Sequence, residues 1–483
     1  MLFNSYYFLF YFLPITLVSY YFAHRINHYK LALLIISIAS FVFYAFDNPY
    51  YFFLLLGSIL VNWIIACVLN RIINNKAVLS FGIAFDVLVI FYYKYYNFFV
   101  DNVNHLTGMS IGIKSIVLPL GISFFTFQQI SFLVDTYRGE TKDYTFIEYV
   151  AFVSFFAQLV AGPIVLHDEL IPQYRNEKRW RVGAERMANG FYCIAIGLSK
   201  KVLLADVFGK AVIWAWADIE KRTGIEMALA MLFYTFQLYF DFSGYCDMAV
   251  GIGKLFNLDL PTNFNSPYKA ISIEDFWKRW HITLTRFLTK YIYYPLGGNR
   301  RGDLRTVINI ILVFLVSGLW HGANWTFVFW GLINGVLLIV NRYTRKVWNF
   351  FPTIIRWLIT FIIVNLLWVM FYAPSVGIGF EVWKKILSFS SFSVNQDMMG
   401  LFVNEEIDMV LSVMGPVGAF VSGSPWIYMI VYMIIGFVTS VMVENIYVKE
   451  FKPTVCTAVI SALLMVWSVT SLTGISVFLY SNF

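Results

Sequence analysis

Long apolar runs separated by short basic tracts dominate the sequence. Because a helix rises 1.5 Å per residue, about 20 apolar residues span the hydrocarbon core of a bilayer. The chain is 59% hydrophobic and only 13% charged, which is too little charge to cover a water-soluble globule. We therefore predict an all-α polytopic membrane protein with about 11–13 membrane-spanning helices. The spans are expected at roughly 1–22, 31–47, 50–70, 78–96, 114–135, 145–166, 186–214, 226–256, 306–340, 354–373, 407–446 (two spans) and 455–481.

Charge in the connecting segments predicts the orientation of these spans. The basic tracts His24–Lys30, Arg175–Arg186 and Arg342–Lys346 are expected on the cytoplasmic side. The acidic segment 389–408, which lacks Lys and Arg, is expected outside. The net charge of +7 therefore reflects membrane topology and does not indicate binding to nucleic acid. The first run has no basic start and no cleavage site of small residues, so we expect it to be retained as a helix.

The sequence contains no pattern typical of a bound metal or nucleotide. The four cysteines match neither a zinc site nor a disulfide framework. Neither a phosphate-binding G-x-x-x-x-G-K-[ST] loop nor an H-E-x-x-H metal motif occurs. We therefore expect no metal, no tightly bound cofactor and no energy input from ATP.

Two predicted spans contain helix breakers. Pro119 and Gly121 lie within Val117–Ser123, and Gly162 and Pro163 end the run that begins at Leu159. Backbone groups freed at membrane depth must be buried in protein or face a wet cavity. Each break is therefore either an ordinary kink or a stretch of backbone that lines a substrate tunnel.

The tract 257–305 is the least typical of a membrane span. Its apolar residues recur at helical spacing and form one stripe, which predicts an amphipathic helix that lies in the membrane interface or packs in the core. Nine basic residues against four acidic ones in 254–305 favour a cytoplasmic position. This charge either sets topology alone or also binds donor phosphates. The stripe is Ile273, Phe276, Trp277, Trp280, Leu284, Phe287 and Leu288, and the candidate donor-binding residues are Lys278, Arg279, Arg300 and Arg301.

Two histidines differ in their expected surroundings. His321 lies within the span 306–340, where an ionisable side chain indicates a functional site or a structural contact between helices. Asn324, three residues on, is expected on the same helical face and close enough to orient the ring. His281 adjoins Trp280 on the amphipathic helix, which favours a solvated histidine unless the fold brings it near His321.

Candidate tunnel residues lie near His321 and in a second apolar run. Gly318 and Gly322, spaced i, i+4 on either side of Trp320, allow a neighbouring backbone or an acyl chain to approach closely. The second run carries Asp241 and Asp247, which are six residues apart and point in different directions, so an acid/base pair is disfavoured. These carboxylates are more readily interpreted as structural partners of arginine or backbone near a site than as catalytic groups. Gln237 shares a helical face with Asp241.

Several short motifs together resemble the membrane-bound O-acyltransferase superfamily, in its alginate O-acetyltransferase-like branch. The resemblance is a combination of motifs in the same order and spacing across residues 118–324. The motifs are Leu118–Phe127, Ala161–Pro163, Leu238–Ala249, Trp277–Leu284, Leu296–Gly302 and Gly318–Asn324.

This resemblance implies a fold and an activity. His321 matches the family's characteristic intramembrane histidine, and His281 matches the polar residue of its second motif. The implied fold is a helical body around a central tunnel in a bacterial cytoplasmic membrane. The implied reaction moves an acetyl group from a cytoplasmic thioester, acetyl-CoA or another acyl donor, to a hydroxyl of a cell-surface polysaccharide, through an extracytoplasmic SGNH-type partner. We assign 1–345 to the catalytic core and 346–483 to C-terminal helices that could dock this partner.

The chemistry also follows from the residues. A thioester is already activated, whereas a hydroxyl acceptor needs a base, and a neutral imidazole that takes its proton contributes about 10²–10⁴-fold. We assign this role to His321, with Asn324 positioning it or polarising the carbonyl. His281 would gate or hold the donor at the cytoplasmic mouth.

Two other functions stay open at this point. The cargo could be D-alanine for teichoic acid, within the same enzyme class. A transporter of polysaccharide or lipid-linked precursor would also use broken spans and buried carboxylates, as a translocation path.

Overall fold

A computed structural model describes residues 1–72, 75–141, 143–388, 391–446, 451–472 and 478–479. The described residues form helices and connecting loops, with no strand among them, which confirms the predicted all-α class. The α-helices are α1 Leu13–Arg25, α2 Tyr29–Ala45, α3 Tyr50–Arg71, α4 Lys76–Ile90, α5 Tyr96–Thr107, α6 Ile122–Tyr137, α7 Phe146–Ser154, α8 Phe156–Leu159, α9 His167–Arg175, α10 Ala184–Ser199, α11 Asp206–Ala217, α12 Gly224–Leu255, α13 Ile273–Arg279, α14 Ile282–Leu288, α15 Asp303–His321, α16 Trp325–Trp348, α17 Thr353–Tyr372, α18 Val376–Leu387, α19 Gln396–Gly400, α20 Glu405–Ser412, α21 Gly415–Ser422, α22 Pro425–Phe437 and α23 Val455–Thr470.

Seven helices in the described ranges are long and apolar enough to cross a membrane. The protein is therefore a multi-pass membrane protein, although seven is fewer than the 11–13 spans expected from hydropathy. Several expected spans are divided into shorter helices: 145–166 contains α7 and α8, and 407–446 contains parts of α20 to α22. The last expected span, 455–481, begins as α23, and its residues 473–477 and 480–481 lie outside the described part of the chain. The seven helices are Tyr7–Arg25, Tyr50–Arg71, Lys76–Thr107, Asp303–His321, Trp325–Trp348, Thr353–Tyr372 and Pro425–Met442.

Two of the three predicted basic connectors, His24–Lys30 and Arg175–Arg186, meet at one end of the helical body, which we call the basic end. Trp180 stacks on His24 and on Tyr29, at centroid distances of 5.2 and 5.8 Å, and so joins two of the predicted connectors. Arg179 and Arg186 both pair with Asp259, each at 2.7 Å. At the opposite end, the amino group of Met1 pairs with Asp47 at 2.9 Å.

Helix α12 forms the centre of the body, and small residues bring α10 against it. A Cβ on Gly197 would lie 2.5 Å from the Gly244 carbonyl oxygen, and one on Gly251 would lie 2.7 Å from the Gly190 oxygen. The two backbones therefore touch at two levels, as is common for helix pairs in membranes. This packing places the π-helical turn Lys200–Ala205, which follows α10, beside the carboxylates of α12.

The two predicted helix breaks lie against each other. Gly121 adopts a left-handed conformation at φ +70°, and a Cβ there would overlap the Leu159 carbonyl oxygen. The Ile164 N–H, freed by the second break, donates to Thr283 Oγ1 at 3.0 Å, and Arg286 donates to the Ile164 oxygen at 3.1 Å. The freed backbone is thus buried in protein and held by α14.

The tract with the apolar stripe is a buried core element. It consists of two short helices, α13 and α14, and every stripe residue is at most 7% exposed. The prediction of a single helix is therefore wrong. Of the two positions proposed for this tract, the structure confirms packing in the core and contradicts a position in the membrane interface. Its aromatic rings pack against α15 to α17, for example Trp277 on Trp330 at 5.7 Å and Trp280 on Trp368 at 5.2 Å.

Candidate active site

The candidate site lies at the turn between α15 and α16. The expected continuous span 306–340 is wrong, because the chain turns at residues 322–324 and α16 returns alongside α15. Gly318 lets the two helices touch: a Cβ there would overlap the Phe327 carbonyl oxygen and lie 3.4 Å from Gly331 Cα. A Cβ on Gly322 would overlap the Phe327 ring. The neighbour that these glycines admit is therefore α16 itself.

Side chains from a π-helical turn cap the end of α15. Tyr95 donates to the Leu319 oxygen at 2.6 Å, and Lys94 donates to the oxygens of Trp320 and His321 at 2.5 and 3.3 Å. These carbonyls have no partner within their own helix, and an unpaired one would be costly at this depth. The turn Phe91–Tyr95 thus fixes the helix end that carries His321, a role that hydropathy did not indicate.

His321 is buried at this helix end, with 2% of its surface exposed. Its ring lies among aromatic side chains: Trp320, Phe371 and Trp330, at centroid distances of 4.9, 5.1 and 5.3 Å. The predicted burial of this imidazole is confirmed, although it lies at the end of a helix and not in the middle of a long one.

His281 lies beside His321, with ring centroids 6.4 Å apart, and is 1% exposed. The prediction of a solvated histidine at the interface is therefore wrong. The fold produces this proximity by a break in the chain, because His281 itself adopts a left-handed conformation at φ +46° between α13 and α14. Its Nδ1 lies 3.1 Å from Asn263 Oδ1.

Asn324 does not share a helical face with His321. It precedes α16 as its N-cap, and its Oδ1 accepts from the Thr326 N–H at 3.0 Å. Its Nδ2 donates to the Pro374 oxygen at 3.0 Å. The expected geometry is therefore wrong, because the helix ends before Asn324, and the residue fixes the turn after His321 instead.

A cavity of about 550 Å³ lies among α13, α14, α15 and α16, and neither His281 nor His321 is one of its lining residues. Arg342 and Arg345 line it where α16 ends, and Ser317, one helical turn before His321, lines it on α15. Between them the walls are largely apolar, and they include Trp277 and Phe314. Sequence reasoning treated the two arginines only as a topology signal.

The four predicted donor-binding residues lie outside the lining of this cavity. Lys278 is 68% exposed and pairs with Glu274, and Arg279 pairs with Asp275 at 2.8 Å. Arg300 and Arg301 are exposed in the turn before α15. Their part in donor binding stays a prediction.

The buried carboxylates of α12 form ion pairs with two consecutive lysines. Asp247 lies 2.6 Å from Lys200, and Asp241 lies 2.7 Å from Lys201. These contacts agree with the interpretation of structural partners: the charged partners are lysines and not arginine, and Asp241 also accepts from the backbone N–H of Leu479 at 2.9 Å. Gln237 lies on the same helix against Gly209 of α11.

A further polar cluster surrounds Asp135 near the basic end. This fully buried carboxylate accepts from Tyr291 at 2.5 Å and lies 3.1 Å from both Lys290 and Arg138. His167 Nε2 is 3.2 Å from it. Because cations already balance the carboxylate, the cluster has the chemistry of a structural hub.

Two buried histidines lie side by side in a multi-pass helical body, one helical turn from a cavity that two arginines line. The membrane-bound O-acyltransferase family model matches residues 86–380. The chain belongs to this family and is an O-acyltransferase.

Curated relatives differ in how much of the chain they cover. The chain is 41% identical to the peptidoglycan O-acetyltransferase of Helicobacter pylori over 82% of its own length and 81% of the relative. It is 36% identical to a probable alginate O-acetylase of Pseudomonas aeruginosa over 82% of its length and 76% of the relative. A teichoic acid D-alanyltransferase of Bacillus subtilis is 28% identical over 48% of the chain and 60% of the relative.

Proposed function

We propose that this O-acyltransferase moves an acetyl group from a thioester bound at the basic end to a hydroxyl group that enters from the opposite end. The observation that carries the proposal is the pair of buried histidines together with a cavity whose lining includes Arg342, Arg345 and Ser317, one helical turn before His321. The positive-inside rule assigns the basic end to the cytoplasm. Because the relatives described above are bacterial, the proposed location is the bacterial cytoplasmic membrane.

The cavity suits a donor with an anionic carrier and a small acyl group. Arg342 and Arg345 match the phosphates of a carrier such as coenzyme A, because guanidinium groups bind phosphate oxygens with two parallel hydrogen bonds. The apolar walls at Trp277 and Phe314 suit the thioester arm. Acetyl-CoA is therefore the proposed donor.

His321 is the proposed general base. The acceptor oxygen attacks the thioester carbonyl carbon, a C–O bond forms and the C–S bond breaks. His321 takes the proton of the hydroxyl group and returns it to the leaving thiolate, so the products are an ester and a free thiol. Direct transfer of this kind requires no nucleophile from the enzyme.

The proposed cargo is acetate and the proposed acceptor is a cell-surface glycan. Relatives whose names specify O-acetylation cover 82% of the chain, whereas the D-alanyltransferases cover 48%. Peptidoglycan and alginate, the polymers in those names, are the first acceptors to test. An extracytoplasmic SGNH-type partner, with 346–483 as its docking region, is proposed as the route to the polymer.

Release of coenzyme A by the purified protein tests this function. With labelled acetyl-CoA and peptidoglycan fragments or alginate, we expect thiol release and alkali-labile acetate on the polymer, identified by mass spectrometry. His321→Ala should abolish both. His24→Ala removes another buried histidine, at the basic end of α1, and should retain turnover. Full turnover by His321→Ala would refute the assignment of His321 as the base. If neither the wild type nor any variant released thiol, a transporter would be favoured instead.

A further inference from the structure

The tract that holds His281 is fixed by one buried asparagine, Asn263, on the loop after α12. Its backbone oxygen accepts from the Ile282 N–H at 2.9 Å. Its side-chain Oδ1 accepts from the Thr283 N–H at 3.3 Å and from Thr283 Oγ1 at 2.9 Å. Asn263 therefore holds the chain immediately after the left-handed residue, a conformation that costs about 1–2 kcal/mol for a side-chain-bearing residue.

The orientation of the Asn263 amide follows from one of these contacts. The Thr283 backbone N–H is a donor and cannot accept a hydrogen bond, so the amide atom facing it must be oxygen. The other end of the amide, Nδ2, donates to Cys246 Sγ at 3.4 Å. Oxygen and nitrogen of this side chain are thus assigned by their partners.

This orientation in turn fixes the tautomer of His281. The same Oδ1 lies 3.1 Å from His281 Nδ1, and an amide oxygen can only accept. Nδ1 must therefore carry the proton of the neutral ring, which leaves Nε2 as the basic nitrogen. His281, next to His321, is therefore held in the Nδ1–H tautomer.

We propose that Asn263 is a positioning residue that selects the Nδ1–H tautomer of His281 and so sets the donor and acceptor pattern beside His321. Thr283 supports it from the other side, because its hydroxyl donates to Asn263 and accepts from the Ile164 N–H of the second helix break. The break at Ala161–Pro163 is thereby connected to the histidine pair through three hydrogen bonds. The catalytic importance of this arrangement rests on the proposed function, whereas the tautomer does not.

The tautomer is measured without any assay of activity. In protein labelled with ¹⁵N-histidine, solid-state NMR distinguishes the two neutral tautomers, and His281→Gln identifies the His281 signals by their loss. We expect Nδ1–H in the wild type and in Asn263→Asp, which keeps an acceptor oxygen. Asn263→Leu should lose this preference. A wild-type His281 protonated at Nε2 would overturn the proposal.

Turnover then tests the functional consequence. Asn263→Leu should lower kcat by about 10²-fold, as expected when a reacting group is misplaced, and should have no further effect in a His281→Gln background. Asn62→Leu is the matched control, since Asn62 of α3 is also fully buried and donates to the Ser58 oxygen in the same helix and to Asp86 in α4. If Asn263→Leu lowered kcat equally in the wild-type and His281→Gln backgrounds, Asn263 would have only a structural role. The same would follow if Asn62→Leu lowered kcat as much as Asn263→Leu. Inactivity of the wild type towards acetyl-CoA would refute the proposed function and leave the NMR result standing.

Discussion

Replacement of Gly318 by alanine should separate α15 from α16 and displace His321. The added Cβ would overlap the Phe327 carbonyl oxygen and lie 3.1 Å from the carbonyl carbon. Ordinary contact between such atoms needs about 3.5 Å or more, and a backbone carbonyl cannot rotate away as a flexible side chain can. We therefore expect the hairpin to open by roughly 1 Å at a point one turn before His321.

Two quantities should change in this variant. Overpacking of this kind costs about 1–3 kcal/mol of stability, and a misplacement of about 1 Å at a reacting group lowers turnover by about 10²-fold. Thermal unfolding in detergent measures the first, and coenzyme A release at saturating substrate measures the second. Gly331→Ala should have a similar effect, because its Cβ would overlap the Phe314 oxygen on the facing helix.

Gly57→Ala in α3 is the matched control, since a Cβ there meets nothing within 4 Å. Alanine is the better helix former by about 1 kcal/mol, so this variant should be as stable as the wild type or more so, with unchanged turnover. Wild-type kcat in Gly318→Ala would refute the idea that close packing of the hairpin positions His321. Equal damage in Gly57→Ala would show that the effect is not specific to the hairpin.

Three further predictions follow from contacts around the site. Asp247→Ala should destabilise the protein by about 3–5 kcal/mol, because Lys200 would remain as a buried charge, and unfolding in urea should show partial recovery when Lys200→Met is added. The double variant Arg342→Ala/Arg345→Ala should raise the KM for acetyl-CoA and weaken its dependence on salt, with the acceptor KM unchanged. Lys94→Met should lower kcat, measured by thiol release, because two carbonyls at the end of α15 lose their donor.

The fold class and the burial of His321 could be predicted from the sequence. Apolar runs identify a membrane protein, and a histidine within such a run is costly enough to indicate a site. The turn after His321 also had a local signal, since Gly322 and Asn324 are typical of a helix end and a helix start. Hydropathy alone does not show this turn, because α15 and α16 are both apolar and so appear as one continuous span.

The geometry of the site depends on contacts that the sequence does not display. His281 reaches His321 through its own left-handed conformation, held by Asn263. An aromatic stripe with flanking charges is equally typical of an interfacial helix and of a core helix, so its burial could not be decided locally. Lys94 is more than 200 residues away in sequence from the carbonyls that it caps. A short sequence motif cannot predict a contact between residues so far apart.

The sidedness of transfer in proteoliposomes tests the proposed function most directly. Acetyl-labelled coenzyme A is supplied only at the basic end of the protein, and the glycan acceptor only in the other compartment. We expect esterified label on the acceptor and free thiol on the donor side, with neither in His321→Ala and both in His24→Ala. Transfer that requires donor and acceptor in the same compartment, or that persists without the His321 imidazole, would contradict a buried base that joins the two sides of the membrane.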